Sequence, residues 1–187
     1  MRRMQRDNSF PGFSAPAAGP EAPLEMLAAC HGRVEHQCAT LERLVAHLLT
    51  HGSDEQARSA AASVMRYFDS AARDHHADEE VDLFPALLES MAGSDAVCIR
   101  ELTESLSAEH RRLELAWRVL RATLERIAAG DAVALDADAV AAFTQSYARH
   151  IEREESELLP MAARLLGDAQ LDEVGRAMRE RRGIDAF

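Results

Sequence analysis

The chain has 187 residues, of which 47% are hydrophobic and only 5% aromatic, and its formal net charge at pH 7 is −11. This length allows one domain whose core needs neither a disulfide nor an obligatory partner for stability. The negative charge argues against nucleic acid and anionic membrane surfaces as partners, because both would repel the protein. No apolar stretch reaches the ~20 residues that a membrane-spanning helix requires.

The three cysteines, Cys30, Cys38 and Cys98, contain no Cys-x-x-Cys pair. Cys30 and Cys38 lie two turns apart on one predicted helix, roughly 12 Å by the helical rise, which is too far for a disulfide. No apolar run of signal-peptide length follows the basic first residues. We therefore expect a reducing, cytoplasmic environment.

Residues 1–21 are rich in Pro, Gly, Ala and Ser, which predicts an irregular N-terminal arm that is a candidate contact for a homodimer. The rest of the chain is dominated by Ala and Leu, which are strong helix formers, so an all-α fold is expected. The first helix is predicted to begin near Pro23 and to end at about His51, before Gly52.

The second predicted helix is capped by Ser53, with Gln56 three residues later in capping-box position. It continues past Pro85 to about Met91. Because proline cannot donate a backbone hydrogen bond, we expect a kink or local break there, just after the His/Glu pair described below.

Gly130 ends a third predicted helix, and a fourth and a short fifth helix follow it. Four long helices with short turns predict an up-down-up-down four-helix bundle over residues 22–167. The segment 168–187 is predicted to form the short C-terminal helix and a tail, packed across one end of the bundle. The predicted boundaries are residues 95–129 for the third helix, a start between 131 and 138 and an end at 166 for the fourth, and 168–181 for the fifth.

One segment of the chain occurs twice, at residues 74–85 and 149–160, with an offset of 75. On an α-helix, residues four apart share one face and lie one turn from each other. A neutral imidazole and a carboxylate directed at one point form half of a metal site, and two copies predict two halves that face each other. In each copy a histidine precedes a glutamate by four residues: His75 and Glu79, then His150 and Glu154.

The two remaining long helices each carry a histidine in the apolar stripe, four residues after a leucine. A single such histidine is more often a hydrogen-bonded core residue, and a lone His-x-x-x-Glu is a common surface pair. A duplicated motif combined with a stripe histidine on each other helix is much harder to obtain by accident. The candidate ligands are therefore four imidazoles and two carboxylates: His31, His75, Glu79, His110, His150 and Glu154.

Six nitrogen and oxygen ligands without thiolate fit iron, or manganese, better than structural zinc, which prefers four ligands and usually cysteine. Two bridging carboxylates would hold two metal ions close together. Burying these groups is costly without partners, and metal coordination would offset that cost for all six at once. The alternative is a helical bundle whose histidines bind adventitious zinc.

Several residues near this set have two interpretations. His76 is either a fifth imidazole ligand or a residue of the outer shell or an interface. Glu35 and Glu114 each follow a helix histidine by four residues and are candidate spare carboxylates. Glu80 and Glu155 are expected to face outward or between helices, and His36, His47 and His51 to face solvent or lie near helix ends. Four aromatic residues either line the site or belong to the ordinary core: Phe68, Trp117, Phe143 and Tyr147. The hydroxyl of Tyr147 could donate to a bound oxygen species.

The pattern H…HxxxEE..LFP…H…HxxxEE..LLP resembles the hemerythrin-like, or HHE cation-binding, family over residues from about 22 to 166. The resemblance implies a four-helix bundle with a non-haem di-iron centre, in which Glu79 and Glu154 bridge the irons. Carried over by motif, the ligands are the six residues already named. Manganese or zinc are possible substitutes for iron.

Two features differ from the oxygen-carrying members of that family. Those proteins have a second histidine on the third helix, where this sequence has Glu114, and an aspartate five residues after the histidine of the fourth helix. Here Glu154 follows His150 by four. The set is more similar to the hemerythrin-like domain of bacterial iron–sulfur cluster repair proteins. These departures argue against simple oxygen transport.

The resemblance implies a bacterial di-iron protein that binds O2 or NO, for sensing, sequestration or stress response. It is expected to bind metal and a diatomic rather than to act as an enzyme, and to work with a separate redox or signalling partner. The alternative function is iron storage or delivery, or repair of iron centres, with ferroxidase activity as one form of it.

Overall fold

The computed structural model of the protein describes residues 22–90 and 96–184. Over these residues the chain is helical and contains no strand, which confirms the predicted all-α class. The predicted N-terminal arm, the predicted end of the second helix at Met91 and the start of the third at Asp95 lie outside the described residues. Within 22–90 and 96–184, none of the helices combines the length and the apolar character needed to cross a membrane.

The described residues form eight α-helices and two short π-helical segments. Each π segment directly follows a helix that contains a histidine near its end. In chain order they are α1 (Pro23–His51), α2 (Glu55–Asp69), α3 (Ala71–Ala77), the first π segment (Asp78–Leu83), α4 (Phe84–Glu89), α5 (Ala96–Ala129), α6 (Ala137–Arg153), the second π segment (Glu154–Leu158), α7 (Leu159–Leu165) and α8 (Asp168–Arg181).

Helix α1 has the predicted bounds. Pro23 occupies its first turn, where the missing amide proton leaves no bond unmade. Gly52 ends it with φ of 63°, a left-handed conformation that glycine adopts without strain, and its N–H donates to the Leu48 carbonyl at 3.0 Å.

The cap predicted for the second helix is wrong by one residue. Asp54 is the N-cap, and its carboxylate accepts a hydrogen bond from the Ala57 N–H at 2.8 Å. A carboxylate is also favoured there by the helix dipole. Ser53 instead donates its hydroxyl proton to the Asp131 carbonyl, which joins the two interhelical loops at this end of the molecule.

The second predicted helix is interrupted twice rather than kinked once. Ser70, with φ of −127° and ψ of −83°, separates α2 from α3. The first π segment then begins at Asp78 and ends directly before α4, whose first turn contains Pro85. The irregular backbone therefore includes Glu79 instead of following it. A π-helical turn is wider than an α-turn and commonly occurs at functional sites.

The second repeat has the same backbone design. The second π segment begins at Glu154 and ends before α7, whose first turn contains Pro160. The helix before it, α6, starts at Ala137, and its N-cap Asp136 accepts hydrogen bonds from the N–H groups of Asp138 and Ala139. The repeat seen in the sequence thus extends to the π-helical geometry around both glutamates.

The core consists of two apolar clusters separated by a polar layer. One contains Val34, Phe68, Leu113 and Phe143, and the other contains Leu27, Leu83, Leu106 and Leu158 among further members. Along α1, His31 falls between Leu27 and Val34, and along α5, His110 falls between Leu106 and Leu113. The histidines and glutamates therefore lie in one layer, with apolar packing on both sides.

Helix α8 has the predicted bounds and packs against α1 and the first π segment. Its buried residues Val174 and Met178 belong to the same apolar cluster as Leu83 and Leu87. This helix therefore covers the apolar layer on the side of the first repeat.

Candidate metal centre

The six predicted ligands are all buried, and none is more than 3% exposed. They come from α1, α3, α5, α6 and the two π segments, so that residues far apart in the chain meet at one place. Burial of this many polar groups is uncommon unless they bind one another or a cation.

The six side chains form two overlapping groups of potential ligand atoms. Within each group, every residue offers an atom that lies within 4.8 Å of the others. The two groups share both carboxylates, Glu79 and Glu154. We name the groups the first cluster, with His31, His75, Glu79 and Glu154, and the second cluster, with His110, His150, Glu79 and Glu154.

Each histidine turns the same ring nitrogen, Nε2, toward the shared carboxylates. Glu154 Oε2 lies 3.1 Å from His31 Nε2, and Glu154 Oε1 lies 2.8 Å from His150 Nε2. Glu79 Oε2 lies 3.2 Å from His110 Nε2, and Glu79 Oε1 lies 3.7 Å from His75 Nε2. The two carboxylates thus stand between two pairs of imidazoles, as bridging ligands would.

Many of these close atoms lack hydrogen-bond geometry. Both carboxylate oxygens of Glu79, together with Glu154 Oε2, His31 Nε2 and His150 Nε2, are buried without a hydrogen-bond partner among the described residues. An unsatisfied buried polar group costs about 1–3 kcal/mol, and more when it is charged. Metal cations that accept electron pairs from these atoms would remove that cost, and the imidazole and carboxylate donors are of the type that such cations prefer. The residues fit bound metal.

A family model for the hemerythrin HHE cation-binding domain matches residues 22–162 of the chain. The protein belongs to the hemerythrin HHE cation-binding family. An uncharacterized protein of Haemophilus influenzae is 34% identical over 162 residues, which cover 87% of this chain and 91% of the relative. The match includes all six converging side chains and ends before α8. The resemblance inferred from the sequence is therefore confirmed, and with it the cation-binding character of the domain.

Mutual electrostatics shift the pKa values of the six converging side chains of this HHE domain. Burial lowers the pKa of His110, but the close carboxylates of Glu154 and Glu79 outweigh this effect and raise the pKa to about 10. Burial and the neighbouring Glu154 carboxylate raise the pKa of Glu79. Burial also opposes ionisation of Glu154, but the close imidazoles of the surrounding histidines hold its pKa well below its usual range. The neighbouring carboxylates thus favour the protonated form of His110, and the surrounding histidines favour the ionised form of Glu154.

Outer carboxylates hold three of the four histidines in this HHE domain. The Nδ1 atom of His31 donates to Glu155 Oε1 at 3.0 Å. His110 Nδ1 donates to Glu80 Oε1 at 2.7 Å, and this carboxylate is the neighbour of Glu79 in sequence. A carboxylate at Nδ1 fixes the tautomer whose Nε2 lone pair faces the cluster and makes that nitrogen a stronger ligand.

The third outer carboxylate is Glu109, which sequence reasoning missed. Its Oε2 accepts from His150 Nδ1 at 2.9 Å, and its Oε1 accepts from Arg153 Nη1 at 2.6 Å. It directly precedes His110 on α5 but contacts a histidine of another helix, so its spacing within α5 gave no signal. For Glu80 and Glu155, the doubled glutamate in both motif copies was a usable signal. His75 has no such carboxylate, and its Nδ1 lacks a hydrogen-bond partner among the described residues.

His76 joins the second cluster from the side. It forms a group with His110 and His150 whose ring nitrogens lie within 4.8 Å of one another. Its ring stacks on that of His110 with centroids 3.9 Å apart, and its buried Nε2 has no hydrogen-bond partner among the described residues. Burial and the neighbouring charge of His110 lower the pKa of His76 well below its usual value, which keeps the imidazole neutral. The structure thus places His76 where a fifth imidazole ligand would stand.

The structure does not bring Glu35 and Glu114 to the site. Both side chains are exposed, and Glu114 accepts from Arg118 Nη2 at 2.6 Å on the surface of α5. On α1 and α5 the buried stripe continues three residues after each histidine, at Val34 and Leu113, rather than four. The residue four positions on therefore faces solvent.

The four aromatic candidates form one contacting group, in which ring centroids of Phe68 lie 4.7 Å from Trp117 and 5.3 Å from Phe143. Tyr147 is the member next to the histidines, with its centroid 6.2 Å from His76 and 6.4 Å from His150. Tyr147 therefore lines the site, whereas Phe68, Trp117 and Phe143 pack behind it as part of the core. Three other histidines lie outside the two clusters: exposed His36, and His47 and His51 near the end of α1, which stack on each other.

We expect Glu109→Ala to weaken metal binding at the second cluster by roughly 10- to 100-fold, the usual cost of losing an outer-shell partner of a metal-binding histidine. The cause is the loss of the carboxylate that orients His150. A competition titration of ferrous iron against a chromogenic chelator measures the change. Glu114→Ala, on the exposed side of the same helix, is the matched control. Equal affinities for the two variants would show that the contact between Glu109 and His150 does not support the ligand set.

Proposed function

We propose that the protein holds two iron ions, one at each cluster, and binds O2 or NO there for sensing, sequestration or stress response. The observation that carries this proposal is the pair of overlapping donor groups joined by Glu79 and Glu154. The donors are imidazole and carboxylate with no thiolate among them, a set that suits iron or manganese better than structural zinc. Manganese or zinc would be substitutes.

In this proposal, His31 and His75 hold one ion and His110, His150 and His76 hold the other, with both glutamates shared. Ferrous ions held there would supply electrons and an open coordination position for a diatomic ligand. The chain keeps the Nε2 atoms directed inward through Glu155, Glu80 and Glu109. The two apolar clusters on either side of the layer limit the access of water and favour small uncharged ligands.

We further propose that the four long helical regions follow the up-down-up-down order and that the protein works in the cytoplasm as a metal- and diatomic-binding protein rather than an enzyme. The free thiols of Cys30, Cys38 and Cys98 support a reducing compartment. Sensing or redox use of the centre would need a separate redox or signalling partner. A homodimer through the N-terminal arm stays a prediction.

Iron storage, delivery or repair of iron centres is the second candidate function, and one observation favours it. The outer carboxylates Glu155 and Glu80 are 52% and 35% exposed at the side chain, yet each contacts a buried histidine. They form a polar route between solvent and the ligand set. The acidic residues Asp78 and Asp82 of the first π segment do not extend this route, because Arg181 pairs with both.

Anaerobic loading with ferrous iron, metal analysis and visible spectroscopy test the proposal. We expect two irons per chain and a new charge-transfer band on adding O2 or NO that reverses when the gas is removed. Two irons that oxidise and do not return would favour iron handling with ferroxidase activity. A single zinc ion, or metal content that is insensitive to replacement of the six ligands, would overturn the di-iron interpretation.

A further inference from the structure

Asp78 is a fully buried carboxylate that immediately precedes Glu79 in the first π segment. Asp78 is not a member of either cluster. A carboxylate at 0% exposure needs a partner of opposite charge, because water cannot solvate it. What neutralises Asp78 therefore decides whether this segment can keep its conformation.

Two arginines at the end of α8 supply that charge. Arg181 and Arg182 form ion pairs with the two carboxylate oxygens of Asp78, and Arg182 Nη1 also lies 3.1 Å from Asp78 Oδ1. Arg181 Nη2 reaches Asp82 Oδ2, in the same π segment, at 2.7 Å. Arg182 Nη1 additionally donates to the Met178 carbonyl at 2.7 Å, which ties the guanidinium to its own helix. The contact between Arg182 and Asp78 is bidentate. Both carboxylates that the arginines bind, those of Asp78 and Asp82, lie in the π segment that carries Glu79.

In the second repeat, the ion pairs next to Glu154 are formed by residues of the bundle itself. The residue 75 positions after Asp78 is Arg153, and the residue 75 after Asp82 is Glu157. Arg153 binds Glu109 at 2.6 Å and lies 3.6 Å from Glu157. The charges around Glu154 are thus balanced inside the bundle. Within residues 22–90 and 96–184, the ion pairs with a helix beyond the region that the family model matches are those of the first repeat.

The Glu79 carboxylate lies 3.2 Å from His110 Nε2 and 3.7 Å from His75 Nε2, in contacts that lack hydrogen-bond geometry. Both of its carboxylate oxygens lack a hydrogen-bond partner among the described residues, so its position depends on the backbone of the π segment. Apolar packing of α8 reinforces the same segment, since Val174 and Met178 belong to the cluster that contains Leu83.

We propose that Arg181 and Arg182 are positioning residues of the metal centre, which act by neutralising Asp78 and so fix the π segment that presents Glu79 to both clusters. Helix α8 is thereby a functional part of the centre and sets how fast metal leaves it. This inference rests on the proposed metal site.

The test compares release of ferrous iron to an excess of chromogenic chelator, under anaerobic conditions, from the full chain and its variants. We expect R181Q/R182Q to release iron roughly 10- to 100-fold faster, the range for loss of an outer-shell partner. The matched control is R176Q, which removes an exposed arginine of α8 that pairs only loosely, at 3.6 Å, with Glu173. The variant R181K/R182K keeps the charge and should release iron more slowly than R181Q/R182Q.

A rescue variant separates positioning from general stability. Adding D78N to R181Q/R182Q removes the buried charge and should return iron release to near the wild-type rate. If R181Q/R182Q does not fold, the triple variant decides, because the proposal requires that D78N restores both folding and iron retention. Iron release from R181Q/R182Q at the wild-type rate, or no rescue by D78N, overturns the proposal. Wild-type protein that holds no metal would instead overturn the proposed function.

Discussion

Replacing either Glu79 or Glu154 by alanine should reduce the iron content from two ions per chain to well below one. Both clusters contain both glutamates, so one substitution removes a ligand from each. Glu154 is the more central of the two, with its oxygens 2.8 to 3.9 Å from the Nε2 atoms of all four histidines. The loss should exceed the roughly 100-fold change in affinity caused by removing an outer-shell partner.

Metal analysis of iron-loaded, gel-filtered protein measures this effect, with circular dichroism to establish that each variant is helical. Glu114→Ala is the control, because that glutamate also follows a helix histidine by four residues but is exposed. A separate substitution, His31→Ala, should lower occupancy at the first cluster alone. Retention of both ions by Glu79→Ala would contradict the shared-carboxylate arrangement, and equal loss in Glu114→Ala would show that the effect is not specific to the clusters.

Removing the metal should lower the melting temperature by roughly 10 °C or more at neutral pH. A ligand present at about 1,000 times its dissociation constant stabilises the folded state by ~4 kcal/mol, and 1 kcal/mol shifts the melting temperature of a chain of this size by about 2–4 °C. The physical cause in this protein is the set of buried imidazole and carboxylate atoms that lack hydrogen-bond partners without metal.

The size of this difference should depend on pH. In the metal-free protein, burial opposes the charge on His75, but Glu79 and further neighbours raise its pKa well above the usual value, and that of His110 is raised to about 10. A histidine with a raised pKa stabilises the fold fully below its unfolded pKa of about 6.5, and this contribution is lost as pH rises through the folded value. Metal binding has the opposite dependence, because it requires deprotonated imidazoles.

The gap in melting temperature between metal-loaded and metal-free protein should therefore widen from about pH 7 to about pH 9. Scanning calorimetry of both forms in matched buffers measures it. His76, whose pKa is lowered, contributes in the other direction only below about pH 6.5, outside this window. A gap that stays constant or narrows with increasing pH would show that the buried histidines carry no proton in the metal-free protein.

The convergence of the candidate ligands could be predicted from the sequence because it depends on local spacing. His75 and Glu79, like His150 and Glu154, are one helical turn apart, and the 75-residue repeat made coincidence improbable. The stripe histidine His31 followed from the periodicity of the apolar residues around it. Helix bounds such as Pro23–His51 and Asp168–Arg181 followed from proline and glycine at the helix ends.

The same spacing rule gave candidates that the fold does not use. Glu35 and Glu114 also follow a histidine by four residues, yet both remain in regular α-helix and face solvent. The buried glutamates differ in that each lies in a π segment. Proline in the next turn indicated an interrupted helix but did not specify a π-helical geometry.

By itself, the sequence determined the all-helical class, the family and the residues with metal-binding chemistry, since each of these is encoded in periodicity and short motifs. Only the tertiary structure decided which groups support those residues. The contacts of Glu109 with His150 and of Arg181 with Asp78 join residues 41 and 103 positions apart. Such pairs have no signature in local spacing. They depend on how the helices pack, because packing decides which distant side chains come within hydrogen-bond distance.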